Sequence, residues 1–292
     1  MRLTRLVVLT AITLVCFASN SLLTRAGLDR GSIDPSSFLM LRLLTGALVL
    51  APLAGLRASL RAGSWWSAVT LAIYGVTFTL AYLRLGAAVG ALLLFGTVQV
   101  TMIGWGMVRR ERPTRRGLAG LALAFTGLIV LTAPGVTAPD SAGALLMIAA
   151  GVMWGVYSLH GRTAGSPLAA NAGNFLLTVP LAGVSLLVLA FTADASLVPP
   201  IVIRGEGLLL AMVSGAVGTG LGYAAWYAVL PALTAWRAAI VQLLVPVIAA
   251  VGGVTLLDES LTWRPLLAGA AVLGGVALAV MAPQRATMRR RG

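Results

Sequence analysis

Arg109-Arg110-Glu111-Arg112-Pro113-Thr114-Arg115-Arg116 sets five arginines and one glutamate between two long apolar runs. Gly86 to Val108 precedes it and Gly117 to Thr132 follows it, and neither run holds a charge. Such a charge block cannot lie in hydrocarbon, and the flanking runs cannot lie comfortably in water. The stretch reads as a short cytoplasmic loop between two membrane-spanning helices, because cytoplasmic loops collect Arg and Lys.

The rest of the chain threads outward from that loop. Of 292 residues, 59% are hydrophobic and 10% charged, against about 25% charged in a soluble domain. Apolar stretches of about 20 residues, the length that spans a bilayer, recur throughout. A formal charge of +13 in a soluble protein would point to nucleic acid. Here the arginines sit in short loops and a tail, so the charge reads as membrane orientation, with the lipid bilayer as partner and no nucleic acid. The single cysteine, Cys16, excludes an internal disulfide and a multi-cysteine metal site. No cofactor or metal is expected, and the chain is expected to act as a monomer. Arg2 and Arg5 followed by an apolar run to Ala18-Ser19 have the outline of a signal peptide. The run continues through Ser21-Leu22-Leu23, which favours an uncleaved first helix.

Ten spans follow, at 5–26, 36–56, 64–84, 86–108, 115–134, 141–163, 169–192, 205–227, 232–256 and 264–282. With the basic loop inside and the spans alternating, fifteen of the 21 arginines fall inside and five outside, with Arg42 within a span. Seven of the eight acids fall outside, Glu111 being the exception. Both termini are then cytoplasmic.

The chain also repeats itself. The stretch from Phe17 to Arg25 resembles that from Trp154 to Arg162, an offset of 137 at which Phe38-Leu39 meets Phe175-Leu176 and Gly46 meets Gly183. Glu111-Arg112-Pro113-Thr114 resembles Glu259-Ser260-Leu261-Thr262 at an offset of 148, and the difference fits a longer loop from Asp194 to Glu206. The repeats, 1–134 and 135–292, hold five spans each. An odd number gives them opposite orientations, a transporter signature that places the substrate site near the midplane between them. The expected fold is therefore an all-α integral membrane protein of ten helices in two inverted five-helix repeats.

These features resemble the EamA-type drug/metabolite transporter superfamily over nearly the whole chain. Trp154-Gly155 with Ser158, then Pro246, Glu259, Leu261-Thr262 and Gly269, match its pattern in the second half, and Asn20, Arg42, Glu111 and Gly120 in the first. Thirteen residues before each glutamate, Pro246 is met by Val98, so a proline kink is expected in the ninth span and not in the fourth. Within the superfamily the aromatic side chains look most like the YddG-type exporters of aromatic amino acids. The resemblance implies an inner-membrane exporter with a central cavity between its halves. Other implied readings are a multidrug or metabolite exporter or, in a different class, a membrane enzyme or assembly factor.

Candidate substrate contacts follow. Tyr74, Phe78 and Tyr82 line one face of the third span at i, i+4, i+8. They read either as cavity wall or as packing and interfacial belt. Trp154, Tyr157 and Ser158 form a patch on the sixth span, and Trp154 and Ser158 repeat Phe17 and Ser21 of the first. Asn20, Gln99 and Gln242 lie within spans, where an amide binds substrate or bonds helix to helix. Tyr223, Trp226 and Tyr227, near the inner end of the eighth span, read as cavity wall or, in preference, as interfacial belt, and Trp65, Trp66, Trp236 and Trp263 read as belt residues at span ends. Arg42, an ionisable residue about two turns inside the second span, could attract a substrate carboxylate; at that depth it is expected instead to snorkel toward the outer surface. The pairs Gly86/Gly90, Gly151/Gly155 and Gly218/Gly222 permit close helix approach, and the glycines from Gly215 to Gly222 permit bending. The run from Gly218 to Gly222 lacks the spacing and the preceding strand of a dinucleotide site.

An enzyme would need a nucleophile and base, a metal or a carboxylate pair. The one histidine, His160, falls near the cytoplasmic end of a span and reads as a headgroup-level loop residue, and the eight acids fall in loops or span ends. Proton coupling generally uses an acid or histidine within the bilayer. Tyr and Arg, with ordinary pKa values of about 10 and above 12, carry protons poorly. The chain has no lysine, hence no phosphate-binding loop of the Walker type. These points indicate a facilitator. Cysteines placed at Ser64 or Thr114 are expected to react only with reagent from the cytoplasmic side, and ones at Asp34 or Asp258 only from outside. Labelling of Thr114→Cys from outside would overturn the threading.

Overall fold

The computed structural model describes residues 1–85, 87–111, 113–132, 140–192, 200–256 and 263–281. Gly86, Arg112, Asp194, Asp258, Glu259, Leu261, Thr262 and the arginines from Arg285 onward lie outside the described residues. The regular secondary structure within them is helical, apart from one isolated antiparallel bridge between Ile33 and Ile203. The helices run α1 (Leu3–Asp29), α2 (Pro35–Ala54), α3 (Leu56–Ala62), α4 (Trp65–Tyr82), α5 (Ala87–Val108), α6 (Arg115–Thr132), α7 (Ser141–Gly161) and α8 (Pro167–Thr192). There follow α9 (Gly205–Val213), a π-helical segment (Ser214–Leu221), α10 (Gly222–Val229), α11 (Ala235–Val241), α12 (Leu244–Leu256) and α13 (Trp263–Val280).

Helix starts coincide with polar caps. The Asp34 carboxylate accepts from the Ser37 N–H at 2.9 Å, with Pro35 at the first helical position, and Asp140 accepts from the Gly143 N–H at 2.7 Å. Each satisfies a backbone donor that a first helical turn leaves free. Proline sets the main interruption of the second half. Pro246 has no N–H, and its ring crowds the carbonyl four residues earlier. The helix accordingly breaks at Gln242 and Leu243, between α11 and α12, whereas α5 runs on through Val98.

Seven described helical segments are long and apolar enough to cross a bilayer: Leu3–Leu28, Pro35–Ala54, Gly90–Val108, Ser141–Gly161, Pro167–Phe191, Gly205–Ala232 and Ala235–Gly253. The other three expected spans coincide with α4, α6 and α13, which are shorter or less apolar. Large apolar side chains stand exposed around the bundle, among them Leu48, Val100, Val108, Phe191 and Leu209. A surface of that kind needs an apolar surround.

Loop contacts sort the ends of the bundle. At the basic end, the Arg162 guanidinium donates to Glu111 Oε1 at 2.8 Å, and the Ala235 N–H donates to Glu111 Oε2 at 2.8 Å. One carboxylate thus ties the α5–α6, α7–α8 and α10–α11 connections together. At the opposite, acidic end, Arg84 lies 3.6 Å from Asp140, Arg30 pairs with Glu206, and the Val202 N–H donates to Asp34 at 3.1 Å.

The helix contacts come in matched sets. α4 packs on α7 and α8, while α9, the π segment and α10 pack on α1 and α2. α5 packs on α7, and α12 on α1. α2 packs along α8, and α6 along α13. Exchanging the first five expected spans for the last five maps this set of contacts onto itself. The α6–α13 seam is backbone-close. A Cβ on Gly120 would stand 2.6 Å from the Gly275 carbonyl and 2.7 Å from the Ala279 nitrogen. Gly120→Val should therefore lower the thermal transition of the detergent-solubilised protein by the equivalent of about 1–3 kcal/mol, the usual cost of overpacking. Gly104→Ala, with open space around it, should leave the transition unchanged.

Candidate functional site

The buried centre is aromatic. Phe17 on α1, Tyr74 and Phe78 on α4, Trp154 and Tyr157 on α7, Phe175 on α8, and Tyr223, Trp226 and Tyr227 on α10 are all buried. Trp154 is the hub. Its ring lies 5.4 Å from Phe17, 5.2 Å from Tyr74, 5.7 Å from Tyr157 and 4.7 Å from Tyr223, centroid to centroid. These are favourable separations for quadrupolar ring contacts. Tyr82 closes the stripe at 4.7 Å from Phe78, and Phe175 meets Tyr223 at 5.8 Å.

Each polar atom attached to these rings that lies deep needs a partner. The Trp154 indole N–H donates to Gln242 Oε1 at 2.7 Å, and the Trp226 N–H donates to Ser158 Oγ at 3.1 Å. The Tyr157 hydroxyl donates to Asn171 Oδ1 at 2.7 Å. The Tyr227 hydroxyl donates to the Tyr157 carbonyl at 3.2 Å and accepts from Asn174 Nδ2 at 3.4 Å. Tyr74 and Tyr223 both lie against the Trp154 ring.

The helix break feeds this network. Gln242, in the turn before Pro246, donates its amide to the Ala238 carbonyl at 3.1 Å and to Met102 Sδ at 3.4 Å. Gln99 donates to the Ala239 carbonyl at 2.8 Å, joining α5 to α11 in the helix-bonding manner, while its Oε1 is buried without a partner. Asn20 sits beside the π segment. Its Oδ1 accepts from Ser214 Oγ at 2.5 Å and from Thr219 Oγ1 at 3.3 Å. The glycines of the pair on this segment press against α1: a Cβ on Gly218 would stand 3.0 Å from the Asn20 Cβ, and one on Gly222 2.7 Å from the Cys16 Cβ.

Phe17, Tyr74, Phe78, Tyr82, Trp154, Tyr157 and Ser158 are thus brought together, with Gln242 bonded to the hub. Gln99 and Asn20 are engaged between helices at the margin. Four sequence expectations are corrected. Tyr223, Trp226 and Tyr227 are core residues, exposed by 2% or less, because α10 turns them toward α1, α7 and α8 rather than toward a membrane interface. Trp236 is also buried, against Gly117. Trp65 and Trp66 are exposed, as a belt requires. The side chain of Trp263 lies outside what is described. Arg42 does not snorkel; it is 2% exposed, held where α2 meets the π segment. His160 is half-buried at the end of α7 and not in a loop, its Nδ1 3.4 Å from Ser67 Oγ.

Asn171 and Asn174 escaped the sequence reading. With Thr178 they form an i, i+3, i+7 polar stripe on an otherwise apolar helix, a signal that was there to be seen. Beneath them a cavity of about 520 Å³ enters from the basic end, lined by Ser64, Ser67, His160, Ser166, Asn174 and Tyr227 among others. Toward the acidic end a much narrower cleft, about 10 Å³, reaches Arg42 between Leu28, Phe38, Phe78 and Tyr82.

The sequence pattern of the EamA-like transporter family matches this chain twice, over residues 4–133 and 141–281. The chain belongs to that family. This transporter is 48% identical over 291 residues to an uncharacterized protein of Pseudomonas aeruginosa, covering 99% of this chain and 98% of the relative. It is 28% identical over 197 residues to a protein of Salmonella typhimurium named a probable amino-acid metabolite efflux pump, covering 65% of this chain and 66% of that one. An Escherichia coli protein of the same name is 25% identical over 215 residues, covering 71% and 72%. A crystal structure with 18% identity superposes with a TM-score of 0.79 over 95% of this chain and 98% of its own, which shows a shared fold alone. The transporter is a multi-pass membrane protein by family and by its apolar helices.

The bond between Trp154 and Gln242 is the polar anchor of the cluster. Gln242→Leu strands the indole N–H, and should cost about 1–3 kcal/mol in thermal unfolding, the range for an orphaned buried donor. Combined with Trp154→Phe, which removes the donor, the same change should cost less. An undiminished cost in the double variant would locate the role of Gln242 in its bonds to Ala238 and Met102 instead.

Proposed function

We propose that this transporter exports small organic solutes across the bacterial inner membrane, and that aromatic or apolar amino acids are its main substrates. The observation that carries the reading is the ring cluster around Trp154, assembled from helices of both halves of the chain. Planar faces and a few convergent polar groups suit a solute with an apolar side chain and a polar head. The name shared by the Salmonella and Escherichia relatives points to the same solute class.

Transport proceeds by alternating access. The matched helix contacts support two inverted five-helix repeats with the site between them, and α4, α6 and α13 complete ten spans. The cavity at the basic end, with Tyr227 and Asn174 in its wall, is the entry for cytoplasmic solute. Both termini then lie in the cytoplasm, and the unit is a monomer. The described acids Asp34, Glu111, Asp140 and Glu206 cap helices or pair at the ends of the bundle, which supports facilitation over proton coupling. A drug-like cation fits less well, because Arg42 lines one cleft with Phe78 and Tyr82.

The test is counterflow of radiolabelled L-phenylalanine by pure protein in liposomes, with solute and pH gradients set independently. Trp154→Ala and Tyr82→Ala should each cut flux about tenfold or more at normal folded yield, the scale of one lost aromatic contact plus its burial. Trp66→Ala, on an exposed ring, should not. Uphill accumulation driven by the pH gradient alone would overturn the facilitative reading, with His160 and Glu259 the first residues to neutralise.

A further inference from the structure

Arg42 is a positive charge in the wrong place for a purely structural residue. It lies within α2, 2% exposed, and a guanidinium keeps its charge in proteins. Ionisable groups inside a membrane span pair with one another or serve a substrate or ion path. Three described arginines find carboxylates at the bundle ends: Arg30 with Glu206, Arg84 with Asp140 and Arg162 with Glu111. Arg42 finds none among the described residues. Its one hydrogen bond to them is a long one, Nη1 to Asn20 Oδ1 at 3.5 Å, and its Nε is buried with no acceptor there.

The neighbouring polar groups are neutral, an amide and hydroxyls. Asn20 Oδ1 is an acceptor with two lone pairs, and Ser214 and Thr219 already donate to it. The hydroxyls of Tyr74 and Tyr223 lie within electrostatic reach of the guanidinium. Arg42 also lines a small cleft on the acidic-end side of the rings, together with Phe38, Phe78 and Tyr82. A planar fork of N–H donors, a neighbouring pair of phenols and a ring-lined cleft together suit a planar, singly charged acceptor group.

We propose that Arg42 binds the carboxylate of the transported solute, with Tyr74 and Tyr223 flanking it and the apolar part of the solute lying on the rings of Phe17, Phe78 and Trp154. The proposal deepens the export reading above and rests on it for the solute being cargo. It narrows the class to monocarboxylates with an apolar body, whether or not they bear an amine. The long bond to Asn20 holds the guanidinium in place between one solute and the next.

The test measures equilibrium binding to the pure full-length protein in detergent, using four probes: L-phenylalanine, 3-phenylpropionate, L-phenylalaninamide and phenethylamine. Wild type should bind the two carboxylates at least about tenfold more tightly than the two compounds without one, the scale of a charge-assisted hydrogen bond. Arg42→Gln should erase that preference by weakening the carboxylates, and leave the amide within about twofold. Arg42→Lys should restore part of it, since the charge returns without the fork. Equal affinity of wild type for L-phenylalanine and its amide overturns the proposal without recourse to any variant, as does equal weakening of acid and amide by Arg42→Gln. Binding of 3-phenylpropionate but not of L-phenylalanine supports the carboxylate site and overturns the amino-acid reading. Counterflow of L-phenylalanine and its amide at equal rates does the reverse. Failure of both carboxylates to bind overturns both.

Discussion

Trp154 donates its indole proton to Gln242 across 2.7 Å, and the centre of the molecule depends on bonds of this type. Within a hydrocarbon surround no water completes a stray N–H or O–H, so each deep polar atom must find its partner in the protein. Proline supplies the opportunity. By breaking the helix at Gln242 and Leu243, Pro246 places an amide side chain beside freed carbonyls and opposite an indole. The broken helix and the ring cluster are one construction, since Gln242 belongs to both. The same requirement accounts for Asn171 and Asn174, which satisfy the phenols of Tyr157 and Tyr227.

The two halves share a plan and differ in detail. Contacts between α4 and α7 are mirrored by those between α10 and α1, and α2 runs along α8 as its own counterpart. Yet α5 is continuous where its counterpart is broken, and the π segment interrupts the second half alone among the described helices. Arg42 is met at the repeat offset of 137 by Val179, so its charge is single. Polar groups are also unequally distributed, with the Arg42 guanidinium toward the acidic end and the Asn174 amide and His160 toward the basic end. A substrate with a charged head and an apolar body would encounter these environments in sequence.

Much of this was legible in the chain itself. The arginine block from Arg109 to Arg116 gave the loop, apolar length gave the helices, and the spacing of Tyr74, Phe78 and Tyr82 gave one wall of the cluster. The break at Pro246 and its absence at Val98 also followed from residue chemistry. What failed was inference from depth along a helix. Tyr223, Trp226 and Tyr227 lie near a span end, where aromatic residues commonly meet headgroups, but depth does not fix the direction in which a side chain points. That direction was set by the π segment just upstream, which no hydrophobic periodicity reveals. Arg42 misled for a related reason: snorkelling assumes a lipid-facing side chain, and the glycine-lined backbone of the neighbouring segment draws α2 close enough to enclose it. A Cβ on Gly215 would collide with the Arg42 backbone.

The π segment from Ser214 to Leu221 has one further consequence. π-helical pairing accommodates an extra residue relative to an α-helix, and one residue of α-helical register corresponds to a rotation of about 100°. Were the segment to tighten by a single residue, everything beyond it would turn by that angle about its own axis. Tyr223, Trp226 and Tyr227 would swing together off Phe17 and Trp154, while Ser214 at the near end stayed on Asn20. A rotation confined to one helix would exchange the ring-lined wall for the small side chains of Ala224, Ala225 and Ala228, without requiring the bundle to spread.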